Sequence, residues 1–329
     1  TFAGNLHTVY SFFATYNTDA PVPFWNLLFS PSSFPNSYWY PNATRFIPLT
    51  IHEFPIYSFV VSDLHGHVVD IIFVLTTIAI LFSLLFKSKL EIENWKLKIP
   101  LISFLLAAMY MTNAWDGLIY MILAGFVFIY LRKPKLVIPL FILFIVFTVP
   151  FSLNFKPFAH GIGIVCPPQF LENIGQIGPF LFEKDHCQRS AWWQLLTLYG
   201  FFYFFVLSFV SFIIAKRKKI KLSESDIFVL LLILLSTILI VIPEFIYLKD
   251  IYPAHYRANT MFKLVYQAFI MLSLSSGYII VRIASTIKPK RFKIFNIYYV
   301  YLLFTILFLI LVFMYPYFAI KSYYGGMRT

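Results

Sequence analysis

Charge is what this sequence has least of. Only 12% of its 329 residues are Asp, Glu, Lys or Arg, about half the share of a soluble domain, and that shortage excludes an ordinary water-soluble globular protein. Cysteine is rarer still, at two residues, which excludes a cluster of thiolate metal ligands. Acids are outnumbered by bases, 14 to 26, for a formal charge of +12. Such an excess points to nucleic acid only when it forms a basic face on a soluble fold. Here the Lys and Arg residues fall between apolar runs, so no nucleic-acid partner is expected. What is abundant is apolar: 60% hydrophobic and 21% aromatic residues, with a mean hydropathy of +0.78. That composition implies an all-α, polytopic integral membrane protein.

Residues 1–60 contain no credible span. Turn formers and aromatics are dense there ("PSSFPNSYWYPNATRFIP"), which predicts an interfacial loop region with short helices. Residues 61–329 form the transmembrane domain. Eight apolar runs are predicted to cross, at about 68–86, 99–113, 117–131, 136–152, 194–215, 227–243, 264–281 and 296–319, most near the ~20 residues that span hydrocarbon. Four basic stretches, 87–98, 132–135, 216–221 and 282–293, hold 17 of the 26 Lys and Arg residues. If all eight runs cross, these stretches share one side, the cytoplasmic one by the positive-inside rule. The N-terminal region, the loop 153–193 and the loop 244–263 then lie outside. Trp192 and Trp193, at the start of a run, are expected to be interfacial anchors.

The stretch between Lys98 and Arg132 is 33 residues long, about 50 Å as one helix and too long for one crossing. As a hairpin broken at "TNAWDG", each arm has 15 residues, about 22 Å and short of the bilayer. Asn113, Trp115 and Asp116 are therefore predicted to turn below the outer surface, where polar backbone must be buried in protein or line a wet cavity.

Three polar clusters fall on the predicted outer side. In "VVSDLHGHVVD", Asp63, His67 and Asp70 share a face if the chain is helical, whereas His65 joins Asp63 and His67 if it is extended. Either arrangement suits a divalent metal held by oxygen and imidazole, or a base with its orienting partner. A polar helix terminus would account for Asp63 but not for Asp70, a turn deeper. Just upstream, "IHEFP" adds His52 and Glu53, the latter a site residue or an ordinary loop acid. Asp116 is an acid recessed in the membrane, a functional candidate unless it merely forms an Asp-Gly turn. In "PEFIYLKDIYPAHYRANTMFK", Glu244, Arg257, Asn259 and Lys263 follow a span, and Arg and Lys there suit a phosphate group. The alternative for Arg257 is an ion pair with Glu244 or Asp250. Only Glu91, Glu93, Glu224 and Asp226 lie at the basic ends, so ten of the fourteen acids are expected on or near the outer side. A shared cavity is the economical explanation. Cys166 and Cys187 form either a loop-pinning disulfide or two free thiols, and Asn42–Thr44 is a formal glycosylation sequon.

"ATRFIPLTIHEFPIYSFVVSDLHGHVVD", "TNAWDGLIYMIL" and "PEFIYLKDIYPAHYRANTMFKLVYQAFIML", in that order, resemble the signatures of the YYY family of polytopic membrane proteins of archaea and bacteria (domain of unknown function 2298). The family's first motif usually reads Gly-Asp-Leu-His-Pro-His; here Ser62 and Gly66 stand for the Gly and the Pro. The pattern usually carries a further upstream membrane section, so the resemblance implies that this chain is the C-terminal part of a longer protein, whose missing N-terminal part would be a partner. The family is in turn similar in architecture to C-type (GT-C) glycosyltransferases that use polyprenyl-phosphate sugars. That similarity implies a plasma-membrane enzyme acting at the extracytoplasmic face on a lipid-linked sugar. Asp63 with His65 or His67 would be the acid/base group or the ligands of a Mg or Mn ion. Asp116 and Glu244 would shape the acceptor pocket with Asn113 and Glu53, and Arg257 and Lys263, with Asn259, would hold the donor phosphate. A transporter or flippase, and a non-catalytic membrane subunit, are the competing expectations.

Overall fold

The structure, a computed structural model, describes residues 2–32, 38–86, 95–156, 159–218, 221–251, 253–286 and 297–325. Glu91, Glu93 and most of the basic stretches 87–98 and 282–293 lie outside these residues. After a 3-10 helix at Leu6–Phe12 and two shorter ones come α1 (Pro55–Val60), α2 (Gly66–Val69), α3 (Ile71–Ser83), α4 (Trp95–Thr112), α5 (Ala114–Tyr130) and α6 (Val137–Ser152). The short α7 (Gln169–Ile174) precedes α8 (Trp192–Lys216), α9 (Glu224–Val241), α10 (Ala258–Thr286) and α11 (Ile297–Tyr324). Among the described residues, six stretches, against the eight runs expected, are long and apolar enough to cross a bilayer: 66–83, 134–152, 192–216, 224–244, 258–286 and 298–324. The chain is a multi-pass, helical membrane protein. α10 is its centre, with about 67% of its apolar window buried and with α5, α8 and α9 packed against it.

The hairpin between Lys98 and Arg132 forms, with longer arms than the apolar runs indicate. α4 has 18 residues and α5 has 17, because α4 begins at Trp95 and takes in Lys96 and Lys98. Trp95 packs edge-on to Phe128 at 5.9 Å, which sets the arms antiparallel. Asn113 alone makes the break, in extended conformation. Trp115 and Asp116 do not form the turn: both lie in the first turn of α5.

The two ends of the bundle differ in chemistry. At one end the basic stretches meet: Asp226 accepts two hydrogen bonds from Arg282, both at 2.9 Å, and one from Tyr278, tying α9 to α10. At the other end the N-terminal region, the loop after α6 and the loop before α10 join into a cap. Gln188 donates from its backbone to Tyr256 and from its side chain to the Pro48 carbonyl, and Gln194 donates to Phe46 O. The three segments that the charge rule places together therefore touch.

Two parts of the cap depart from the predicted interfacial loops. Residues 4–8 do not lie along the bundle end but seat against the middle of α11: Gly4 N donates to Val312 O at 2.9 Å and Thr8 Oγ1 to Leu311 O at 2.7 Å. Gly4 is required for that approach, since a Cβ there would stand 2.5 Å from Tyr315. The loop after α6 carries a small sheet of strand order β2–β3–β1–β4, with β1 Ile162–Ile164, β2 Gln176–Ile177, β3 Phe180–Leu181 and β4 Ile246–Leu248. β1 pairs parallel to β3 and antiparallel to β4, with Gly163 opposite Tyr247. Strands of two or three residues carry no readable alternation. The Cys166–Cys187 disulfide closes this loop.

Inside the cap, His52 is 3% exposed and its Nε2 accepts the Phe46 backbone N–H at 3.0 Å. Burial, with the nearby charge of Arg45 as a smaller contribution, pushes its pKa well below 6.5. The folded protein thus holds the ring neutral, while the unfolded chain binds a proton as pH falls through about 6.5. Stability of the cap is full above that pH and declines below it, toward the lowered folded value. The protection factors of residues 44–52 in detergent (the intrinsic exchange rate at each pH divided by the measured one) are expected to fall between about pH 7.5 and pH 5. His52→Gln should remove part of that dependence, the buried His7 in the same region keeping the rest.

Candidate functional site

The cap end holds the one point where all three polar segments converge on the bundle. Pro55 starts α1 with its fixed φ, leaving Glu53 just ahead of the helix. α1 is followed by Ser62, whose φ of 55° is in the left-handed region that favours Gly. This turn sends the chain back so that Asp63 N donates to Ser58 O at 2.9 Å. Asp63 is thereby returned to Glu53. Gly66 then opens α2 directly on the α4–α5 break: a Cβ there would stand 2.1 Å from the Thr112 carbonyl oxygen. Through that contact Asp70 is delivered to Asp116.

The motif is extended over Asp63–His65 and helical from Gly66, so both predicted geometries hold in part. Asp63 Oδ1 accepts from the His65 backbone N–H at 3.0 Å and contacts the His65 ring. Its Oδ2 is 3.4 Å from His67 Nε2. Ligand atoms of Glu53, Asp63 and His67 all lie within 4.8 Å of one another. Of the residues expected as metal ligands, Asp63 and His67 fall in this group. The His65 side chain, 82% exposed, contacts Asp63 and stacks on the His67 ring with centroids 6.1 Å apart. Glu53, expected among the substrate-binding residues, stands beside Asp63 and His67. His67 is buried against the ring edges of Phe262 and Tyr266, at 4.6 and 4.9 Å, with its Nδ1 unpartnered.

Electrostatics distinguish the two carboxyls outside the spans. Burial raises the pKa of Glu53, against the hydrogen bond from Arg45 at 2.8 Å. Burial acts the same way on Asp63 but is outweighed by hydrogen bonds from the His65 backbone and ring, so Asp63 stays below the usual carboxylate range. Deeper, Asp70 and Asp116 are completely buried and their carboxyls meet within hydrogen-bonding reach. Gln267 Nε2 donates to Asp116 Oδ2 at 2.7 Å, and Tyr120 donates to Gln267 at 2.9 Å. Asn113, 5% exposed, stands beside Asp116. Lys263, on the first turns of α10, interacts with Asp116, Asp63, Asp70 and Glu53. Asn259 is one helical turn before it on the same face.

Arg257 and Glu244 belong elsewhere. Arg257 is 1% exposed and pairs with Glu244 at 2.6 Å. It also donates to Pro243 O at 2.8 Å and to Gln188 O, while Glu244 accepts from Ser190 N and Oγ. The expected roles in phosphate binding and acceptor binding are thus replaced by a structural one: the pair staples the loop after β3 to the end of α9. The alternative ion-pair expectation for Arg257 describes it. Residues that sequence inspection passed over include Arg45, Tyr120, Tyr266 and Gln267. A Gln inside the apolar run 264–281 was the visible signal for the last of these.

A buried pair broken on one side leaves an uncompensated charge. Arg257→Met is expected to lower stability by roughly 3–5 kcal/mol, read as a fall in Tm in detergent. Arg257→Met combined with Glu244→Gln should recover most of that loss.

The family described as uncharacterized membrane protein (DUF2298) matches residues 1–225 and 213–272, which include every polar segment of this site. No curated protein and no solved structure matches the chain. With the multi-pass helical fold and the ordered motifs, that match makes the chain a member of the DUF2298 family of membrane proteins.

Proposed function

We propose that this protein is a membrane glycosyltransferase that moves a sugar from a polyprenyl-phosphate donor to a hydroxyl group of an envelope or protein acceptor. It would work at the extracytoplasmic face of a bacterial or archaeal plasma membrane. The observation that carries the reading is the gathering of Glu53, Asp63 and His67 within 4.8 Å, in the electrostatic field of the cation Lys263. In the transfer, the bond from the sugar's anomeric carbon to the donor phosphate oxygen breaks. A bond to the acceptor oxygen forms, and the acceptor proton passes to the carboxylates. Lys263 is the remaining cation for the departing polyprenyl phosphate, since Arg257 is engaged with Glu244.

Two carboxylates and an imidazole, each giving one atom, fit a divalent ion, and the nitrogen donor suits Mn better than Mg. When bound, such an ion supplies positive charge to the leaving phosphate. Glu53, Asp63 and His67 would hold it, and Arg45 orients the Glu53 carboxylate.

One feature favours a second reading, a proton-coupled transporter or flippase. Asp70 and Asp116 lie inside the bundle with carboxyl oxygens that lack protein donors, as a proton relay would have. Proteoliposome flux of a labelled lipid-linked sugar separates the two. Transfer of labelled sugar in membranes is expected to fall by about 10²–10⁴-fold in Asp63→Asn and to respond to EDTA followed by Mn. Full activity in Asp63→Asn would overturn the assignment.

A further inference from the structure

On the outer flank of the cap is an open cavity of about 710 Å³. Its walls come from the N-terminal region, with His255 from the loop before α10. Tyr16, Asp19, Trp39, Asn42, Arg45 and His255 all line it, so aromatic faces alternate with a carboxylate, an amide, a guanidinium and an imidazole. Trp39 is 55% exposed on the cavity wall that it lines. The side chains of Asp19, Asn42 and His255 have no protein hydrogen-bond partner among the described residues. Leu49, also on the wall, holds a φ of 57°, a strained conformation for a non-Gly residue that is characteristic of binding sites.

Thr44 of the Asn42–Thr44 sequon is fully buried, its hydroxyl donating to Pro41 O at 2.8 Å. Asn42 instead faces the cavity.

We infer that this cavity binds a hydroxyl-rich carbohydrate chain. Sugar rings offer apolar C–H faces, which pack on Trp39 and Tyr16, and paired hydroxyls, which planar groups such as the Asn42 amide, the Asp19 carboxylate and the Arg45 guanidinium bond two at a time. The cavity exceeds the lower size of small-ligand sites and is large enough for two or three sugar units. Arg45 joins it to the carboxylates, since the guanidinium that lines the cavity also bonds Glu53 at 2.8 Å. For the acceptor role of the bound chain this inference rests on the transferase reading; for binding itself it does not.

The test uses the full chain in lipid nanodiscs against a printed panel of defined oligosaccharides. The best binder is then titrated while tryptophan fluorescence is followed. Saturable binding is expected, weakened about tenfold or more in Trp39→Ala and in Asn42→Ala, with the Tm of each variant unchanged. Asp19→Ala, at an exposed position, serves if either variant misfolds, and should weaken binding as well. No binding by any member of the panel, or equal binding in these variants, overturns the inference. Binding without any sugar transfer would remove the transferase reading and leave the carbohydrate site standing. Transfer to a small acceptor that is indifferent to Trp39 and Asn42 would do the reverse.

Discussion

The site depends on one constraint: a charge kept from water must have a counter-charge beside it. Lys263 enters the bundle on α10 and finds four carboxyl groups, those of Glu53, Asp63, Asp70 and Asp116. They come from an N-terminal loop, from both sides of the α1–α2 turn and from α5. None of these elements is adjacent to α10 in sequence. Burying any one of the groups alone would be strongly unfavourable. Together they place carboxyls from three separate segments in the field of one cation, so the electrostatics that could serve chemistry also bear on how those segments meet.

The same constraint separates structural from functional charge in this molecule. The pairs Glu244–Arg257 and Asp226–Arg282 are saturated: every carboxylate oxygen in them accepts from a guanidinium, a hydroxyl or a backbone N–H. Each closes a helix end to its neighbour, at opposite ends of the bundle. The cluster around Lys263 is different. Apart from each other, Asp70 has no donor on either oxygen and Asp116 has one oxygen without a donor among the described residues, and His67 Nδ1 is unpartnered although the ring is 3% exposed. Groups left unsatisfied in a protein interior destabilise it, and they persist where the site has another use.

Much of this was legible in the residues. Helices of 18 residues or more announce themselves through apolar windows, and the basic stretches between them sort the ends correctly, because Arg282 and Asp226 do meet at one end while Gln188, Tyr256 and Pro48 meet at the other. The gathering of Asp63, His67 and Asp116 was also visible as polar groups set against apolar runs. What was not legible hangs on single backbone choices. Ser62 at φ 55° turns the chain so that Glu53 joins Asp63 and His67, and no periodicity encodes that reversal. Arg257 carries the same side chain whether it binds phosphate or Glu244. Only the placement of Gln188 and Pro243 carbonyls against it settles which. Residues 4–8 read as interfacial by composition, yet Gly4 lets them lie flat on α11.

The glycines show how the parts are kept in register. Gly66 rests on the Thr112 carbonyl, and Gly117 lies where a Cβ would stand 2.6 Å from Leu106 O. The first contact sets the depth of α2 against the α4–α5 break, and the second sets the separation of the hairpin arms. A methyl group at either point would push Asp70 or Asp116 away from its partner. Because packed helices shift as rigid bodies rather than deform locally, such a push would also move Asp63 and His67, which ride on the same short segment. Binding groups at the surface and carboxyls in the bundle are therefore one mechanical unit, and Arg45 extends that unit outward to the carbohydrate-sized cavity through its bond to Glu53.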